Sequence, residues 1–305
     1  MMNPPTYENL KIYDITPIHS YDGILYKRDD LYTPFADNPI SGGKIRQVCC
    51  LFLENYDKIK NEFNSSVVTG TSVNSPQGIV VARAAKEFGF KSLIVFGATK
   101  RETLMRNIMV RWMQHAGAEF DYKSKLAYDN VLNARIREIQ RVRNLFHVKF
   151  GINLENNPDA IINSTAYQVQ NLPDELDNLI IPTGSAITAG GILVGLKQYN
   201  KKVKRVIIVQ ISGYDRRDTL REIFNQLNIN PHPYYEYVAD KTFPYSRQLR
   251  VRFNEDEFLD PVYEAKGYYW MRYNINTDNQ KTVFWIIGNS YYVRTVTPEM
   301  IKVNV

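Results

Sequence analysis

The chain has 305 residues, a formal net charge of +6, 44% hydrophobic and 23% charged residues. That is ordinary globular usage and excludes wholesale disorder, collagen and coiled coil; no apolar run approaches the roughly 18 residues of a membrane span. The two cysteines, Cys49 and Cys50, are neighbours and the four histidines are scattered, so a disulfide scaffold and a structural zinc site are excluded, no metal is expected, and a reducing, cytoplasmic setting follows.

The opening, MMNPPTYENLKIYD, lacks the apolar core of a secretory signal. Residues 1–43 read as loops and short strands, one of them at 23–27. Apolar positions at helical spacing in KIRQVCCLFLEN predict a helix from Lys44. SVVT, a polar loop, the alanine-rich IVVARAAKEFG closed by Gly89, and SLIVFGA then read as strand, loop, helix and strand, the βαβ unit of a parallel sheet. The pattern repeats in a helix over 102–115 ended by Gly117, a strand at 118–122 and a long arginine-bearing helix over 125–143. Residues 150–178 are polar and irregular, with a helix expected near 166–170. From Asn178 the βα alternation resumes as NLIIP, TGSAITAGG, ILVGLKQYN and RVIIVQISG. The stretch 232–305 is aromatic-rich, with a helix expected over 263–273 and a strand in TVFWIIG.

Three loops point at one chemistry. In ISGGKIRQ, two glycines precede a lysine that opens a helix. The positive end of the helix dipole and desolvation in a cleft both favour the neutral amine, the form that makes a Schiff base with an aldehyde. Read alone, Lys44 is more simply a solvated lysine after a glycine turn. TGSAITAGGI, between a strand and a helix, presents first-turn amides with the Ser185 and Thr188 hydroxyls, a cradle for a phosphate dianion. It lacks the GxGxxG spacing of a dinucleotide site. TGTSVNSPQG offers Thr71, Ser72, Asn74, Ser75 and Gln77, uncharged hydrogen-bonding groups suited to a substrate carboxylate. An aldehyde for the lysine, a phosphate for the cradle and an electron sink for an amino acid are together supplied by pyridoxal phosphate.

Four segments then occur in a familiar order: YKRDDLYTPFADNPISGGKIRQ, NSPQGIVVARAAKEFG, IPTGSAITAGGILVGL and DPVYEAKGYYWM. In them the chain resembles the tryptophan synthase β-like (fold type II) pyridoxal phosphate enzymes, and within these 1-aminocyclopropane-1-carboxylate deaminase and D-cysteine desulfhydrase. With the βαβ readings at 66–97 and 178–212, the resemblance implies two parallel-sheet α/β domains flanking a cofactor cleft. Residues 46–155 would form the small domain, and 1–45 with 156–305 the large one. It also implies a Schiff base at Lys44 and a Tyr263 that faces the site and positions or protonates a leaving group. Further cofactor contacts are expected from Asn74, Thr183, Gly184, Ser185, Ala186, Ile187 and Thr188, with Asn289 or Ser290 near the pyridine nitrogen, in a homodimer. The chain departs from the family where Gly43 meets Lys44 directly, where Ala186 and Ile187 replace glycines, and where Ile287-Gly288-Asn289 replaces Thr-Gly-Gly.

The resemblance implies elimination, deamination or related lyase chemistry on a free amino acid. A second reading keeps the cofactor but attaches the amino acid to a nucleotide or DNA, as in viral base hypermodification, with decarboxylation as one such reaction. The basic surplus, the arginines of 135–143 and the segments YSRQLRVRF and YYWMRY motivate it, because cations interleaved with aromatics suit phosphate and base contact. A third reading is a non-catalytic cofactor-binding protein.

Overall fold

The computed structural model describes residues 5–35, 40–73, 75–97, 100–124, 129–152, 158–211, 213–230 and 232–295. Strands β1 (Ile18–Tyr21) and β2 (Ile24–Arg28) form a hairpin turned at Asp22 and Gly23. Both turn residues have positive φ, 49° and 72°, the left-handed pair that a two-residue hairpin turn requires. There follow α1 (Gly43–Glu54), α2 (Tyr56–Glu62), β3 (Ser66–Thr71), α3 (Gln77–Glu87), β4 (Lys91–Gly97), α4 (Arg101–Arg106), α5 (Ile108–His115), β5 (Glu119–Ser124), α6 (Asp129–Gln140) and β6 (Phe146–His147).

The apolar stripe expected as one helix over 102–115 is carried by two. Asn107 between them is extended, with ψ 128°, and its side chain accepts from the Met109 N–H to cap α5. Such a side chain competes with the helical ladder and restarts it. The helix expected near 166–170 also lies earlier, as α7 (Pro158–Ala166), with only a short 3₁₀ turn at Tyr167–Val169. Proline is tolerated in a first helical turn, where the missing N–H has no partner to lose, and Ile161, Ile162 and Ala166 supply its buried face. The chain closes with β7 (Glu175–Thr183), α8 (Ile187–Gln198), β8 (Lys202–Gln210), α9 (Arg217–Gln226), β9 (Glu236–Ala239), α10 (Glu264–Asn274), β10 (Thr282–Ile286) and α11 (Tyr291–Thr295).

The strands form two sheets, a larger one in the order β1-β2-β10-β7-β8-β9 and a smaller one in the order β5-β4-β3-β6. All neighbours are parallel except β1 at its edge. Central strands read as continuous apolar runs, with Leu179–Ile181, Ile207–Val209 and Val283–Ile286 all buried, as helices on both faces require. Val67 and Ile94 of the smaller sheet share one buried cluster with Leu179, Ile181 and Trp285 of the larger. Helix α1 packs on both α3 and α7, so the two sheets meet through it. No helix among the described residues is long and apolar enough to cross a membrane. Because the strands are parallel, their carboxyl ends gather the loops after β3, β7 and β10 at one place, where ligands of such sheets bind.

Candidate active site

Those loops and the start of α1 enclose a cleft of about 720 Å³, counted out to its open mouth. Lys44, the second residue of α1, is at its floor. The glycines ahead of it are there for space. Gly42 has φ 107°, and a Cβ on it would lie 2.5 Å from the Ile287 carbonyl oxygen. The Gly43 N–H donates to that same oxygen at 2.8 Å, which ties the start of α1 to the end of β10. Under this first turn lies the buried Asp29 carboxylate, held by Arg46 at 2.5 Å and favoured there by the helix dipole. Lys44 Nζ donates to Gln77 Oε1 at 3.3 Å. Burial lowers its pKa to about 8, because the desolvated ammonium is the costlier form.

The turn from β7 into α8 makes the anion cradle. Ala186 adopts φ 69°, and the first amide bonded inside α8 is that of Gly190, to the Ala186 carbonyl at 2.8 Å. The amides of Ile187, Thr188 and Ala189 are the orphan donors of a helix start. Ala186 and Ile187 are buried, so they contribute main chain where glycines were the expectation. Thr188 Oγ1 accepts from Gln47 Nε2 at 2.9 Å, which leaves its own proton for an anion. Thr183, Gly184, Ser185 and Thr188 all line the cleft. A Cβ on Gly184 would lie 2.6 Å from Tyr263 Cε1, so that glycine is what lets the tyrosine approach.

The opposite rim comes from the segment before α10 and the end of β10. The Tyr263 hydroxyl pairs with that of Tyr245 at 2.8 Å. Burial, then Tyr245, push its pKa well above the usual value, so it is a neutral phenol. Two residues that sequence reasoning passed over, Asp260 and Glu264, also line the cleft. Glu264 Oε1 accepts from the Ile287 and Gly288 N–H groups at 3.1 and 3.3 Å. Burial, then the adjacent Asp260 carboxylate, push the Glu264 pKa well above its usual value. Two carboxyls inside the otherwise apolar DPVYEA run were the signal available. Asp260 accepts from the Ser290 N–H at 2.9 Å and from the Ser290 hydroxyl. Asn289 donates to the Phe258 carbonyl at 2.7 Å and accepts from the Tyr291 N–H at 2.9 Å. Asn289 and Ser290 line the cleft, but their side chains are committed to the framework.

The loop after β3 is arranged differently from its expectation as a carboxylate cradle. Thr71 Oγ1 donates to the Ser72 carbonyl at 3.1 Å, and Ser75 Oγ accepts the Gln77 N–H at 3.2 Å. Gln77 is fully buried and donates to Thr69 Oγ1 and the Lys149 carbonyl. Among the described residues of this loop and α3, Pro76 and Val80 are what line the cleft. Asn74 lies outside the described residues.

A desolvated lysine, a helix-start cradle packed too tightly for a Cβ at Gly184, and a buried carboxyl with a raised pKa form a donor set that fits pyridoxal phosphate. Lys44 would take its aldehyde, the 183–188 turn its phosphate, and Glu264 its basic ring nitrogen. The comparisons point to the same cofactor. An O-seryl-dTMP PLP-dependent decarboxylase of Salmonella phage ViI is 27% identical over 359 aligned positions, covering 92% of this chain and 83% of that protein. Among solved structures, an ACC deaminase homologue superposes with a TM-score of 0.71 at 18% identity, over 94% of this chain and 95% of that one. Diaminopropionate ammonia lyase of Escherichia coli gives 0.64 at 14% identity, over 95% and 92%. At these identities the structures speak for the fold. The family described as pyridoxal-phosphate dependent enzyme matches residues 12–242, and the chain belongs to that family.

Proposed function

We propose that this pyridoxal phosphate enzyme removes the carboxylate of an amino acid carried on a modified pyrimidine nucleotide. The observation that carries the reading is the similarity, along 92% of the chain, to a protein named for decarboxylating O-seryl-dTMP. Bound pyridoxal phosphate supplies the electron sink for the bond broken at the substrate α-carbon. The residues around it favour loss of the carboxylate. Pro76 and Val80 present an apolar surface on the side of the smaller sheet, and the Thr71 hydroxyl donates to main chain. A carboxylate against an apolar wall is poorly solvated and gains by leaving as neutral CO2.

The reaction takes up one proton and releases CO2 and a primary amine. Lys44, which lines the cleft, is a proton source for it. With a pKa of about 8 it is mostly ammonium at neutral pH and can protonate the α-carbon. Prompt protonation matters because a seryl oxygen bonded to the nucleotide is a leaving group one carbon away. Tyr263, a neutral phenol paired with Tyr245, is placed to steady that oxygen. Deamination of a free amino acid is favoured less, since it calls for a carboxylate cradle in the 71–77 loop. The non-catalytic reading is set aside by family membership together with an intact Lys44.

The test is to supply the holoenzyme with O-seryl-dTMP and with free serine. CO2 and an amine that stays on the nucleotide are expected from the first substrate alone. Pyruvate, ammonia and a released nucleotide without CO2 would sink the reading.

A further inference from the structure

We infer that the ribbon over 243–258, on the lip of the cleft, docks a single-stranded segment of nucleic acid whose modified base enters the site. This rests on the reading above and specifies how its substrate is presented. Residues 244–253, PYSRQLRVRF, hold three arginines and no carboxylate. Some arginines elsewhere are held by carboxylates, as Arg135 is by Asp121, Arg205 by Glu236 and Arg217 by Asp215. The ribbon's arginines lie on rings instead. Arg247 sits 4.9 Å from the Phe243 centroid, and Arg250 and Arg252 sit 4.7 and 4.8 Å from that of Phe258. A guanidinium held over a ring rather than by a carboxylate keeps N–H groups for a phosphate. The ribbon's carboxylates are confined to its turn at 255–257, where Glu257 is taken by Arg28.

The ribbon is fastened to the cleft. Lys266 Nζ holds the Pro244 and Tyr245 carbonyls at 2.9 and 3.0 Å, and the Leu249 N–H donates to the Pro261 carbonyl at 2.9 Å. One end reaches the cleft lining through the Tyr245–Tyr263 hydroxyl pair and the other through Asn289 on the Phe258 carbonyl. Beyond each end the surface is aromatic. Phe243 contacts Tyr269, which contacts the 73% exposed Tyr273. Phe258 stacks on Tyr291 at 4.6 Å and 13°, next to the 48% exposed Tyr292. Cations between aromatic platforms are what a flexible strand meets when phosphates are neutralised and bases stack on side chains. A base that is to reach a cleft of about 720 Å³ must leave its duplex stack, and exposed rings replace the stacking it loses.

The experiment titrates wild-type holoenzyme and the triple variant Arg247→Gln, Arg250→Gln, Arg252→Gln against a fluorescent oligodeoxythymidine of about 20 nucleotides. If the three arginines neutralise three phosphates of a single strand, raising salt from about 50 to 200 mM costs the wild type about 20-fold more affinity than the variant. A variant that binds with wild-type strength and salt dependence, or a wild type that ignores the oligonucleotide, overturns the docking rim. The variant should release CO2 from O-seryl-dTMP at the wild-type rate, since the mononucleotide does not need the strand contacts. Oligonucleotide binding and CO2 release therefore fail separately: the first judges the rim, the second the reaction.

Discussion

Across the cleft, the smaller sheet offers Pro76 and Val80, whereas the larger sheet offers a cradle of amides and two buried carboxyls. Among the described residues of the first wall, Thr71, Ser75 and Gln77 bond to the Ser72 carbonyl, the Gln77 amide and the Lys149 carbonyl respectively. Those of the second converge on the cavity or brace groups that do. The difference teaches a division of labour. The polar wall can hold a phosphorylated cofactor by charge and hydrogen bonds, while the apolar wall can decide, by desolvation, which substituent of the substrate is lost.

The largest effect that tests this division is Lys44→Ala. Turnover should fall by about 10³-fold or more, because the group that bonds the cofactor and delivers the proton is gone. Pyridoxal phosphate should still be retained through the 183–188 cradle in equilibrium dialysis; its complete loss would show that the polar wall does not hold it unaided. Next comes Glu264→Gln, which keeps an acceptor for the Ile287 and Gly288 N–H groups but removes the acidic proton. Turnover should drop by about 100-fold with an unchanged melting temperature, as expected for a lost proton donor. An unaltered rate would remove Glu264 from the chemistry.

The pH dependence follows from Lys44. Its pKa is lowered to about 8, and the neutral amine attacks the aldehyde, so cofactor attachment should quicken with pH. The rate should rise about 50-fold from pH 6 to 8 and flatten above that, following the neutral fraction. A midpoint near that of free lysine would mean the amine is not desolvated. Gly184→Ala should weaken cofactor binding by roughly 30-fold, about 2 kcal/mol of overpacking, since the new Cβ meets Tyr263 Cε1 at 2.6 Å. Pairing it with Tyr263→Leu should restore binding if that clash is the cause. The smallest change is Val80→Thr, which puts a hydroxyl on the apolar wall at nearly constant volume. CO2 release should slow about fivefold with cofactor affinity unaltered, matching about 1 kcal/mol for a polar group at such a site.

Much of this was readable along the chain. The βα alternation shows in runs such as NLIIP and RVIIVQISG because strands covered on both faces are continuously apolar. The glycine pair before Lys44 and the small-residue turn at 183–188 show because close backbone approach and helix-start amides leave a mark in consecutive residues. Less was readable where a polar side chain had to choose between competing partners. Asn289 and Ser290 suggested a pyridine contact, yet they cap and brace the segment before α11. Gln77 suggested a substrate contact, yet it is buried against Lys149 and Lys44.

Local pattern therefore carried most of the elements, the lysine that opens α1 and the helix-start turn at 183–188, whose physics is contained within a few neighbouring residues. Long-range pairing settled the rest. The hairpin at 18–28 lies beside β10, with Leu25 opposite Val283, a neighbour hundreds of positions away that periodicity cannot name. The raised pKa of Glu264 and the lowered pKa of Lys44 are set by how much water the folded walls exclude. Desolvation is a property of the enclosed volume, not of any stretch of chain.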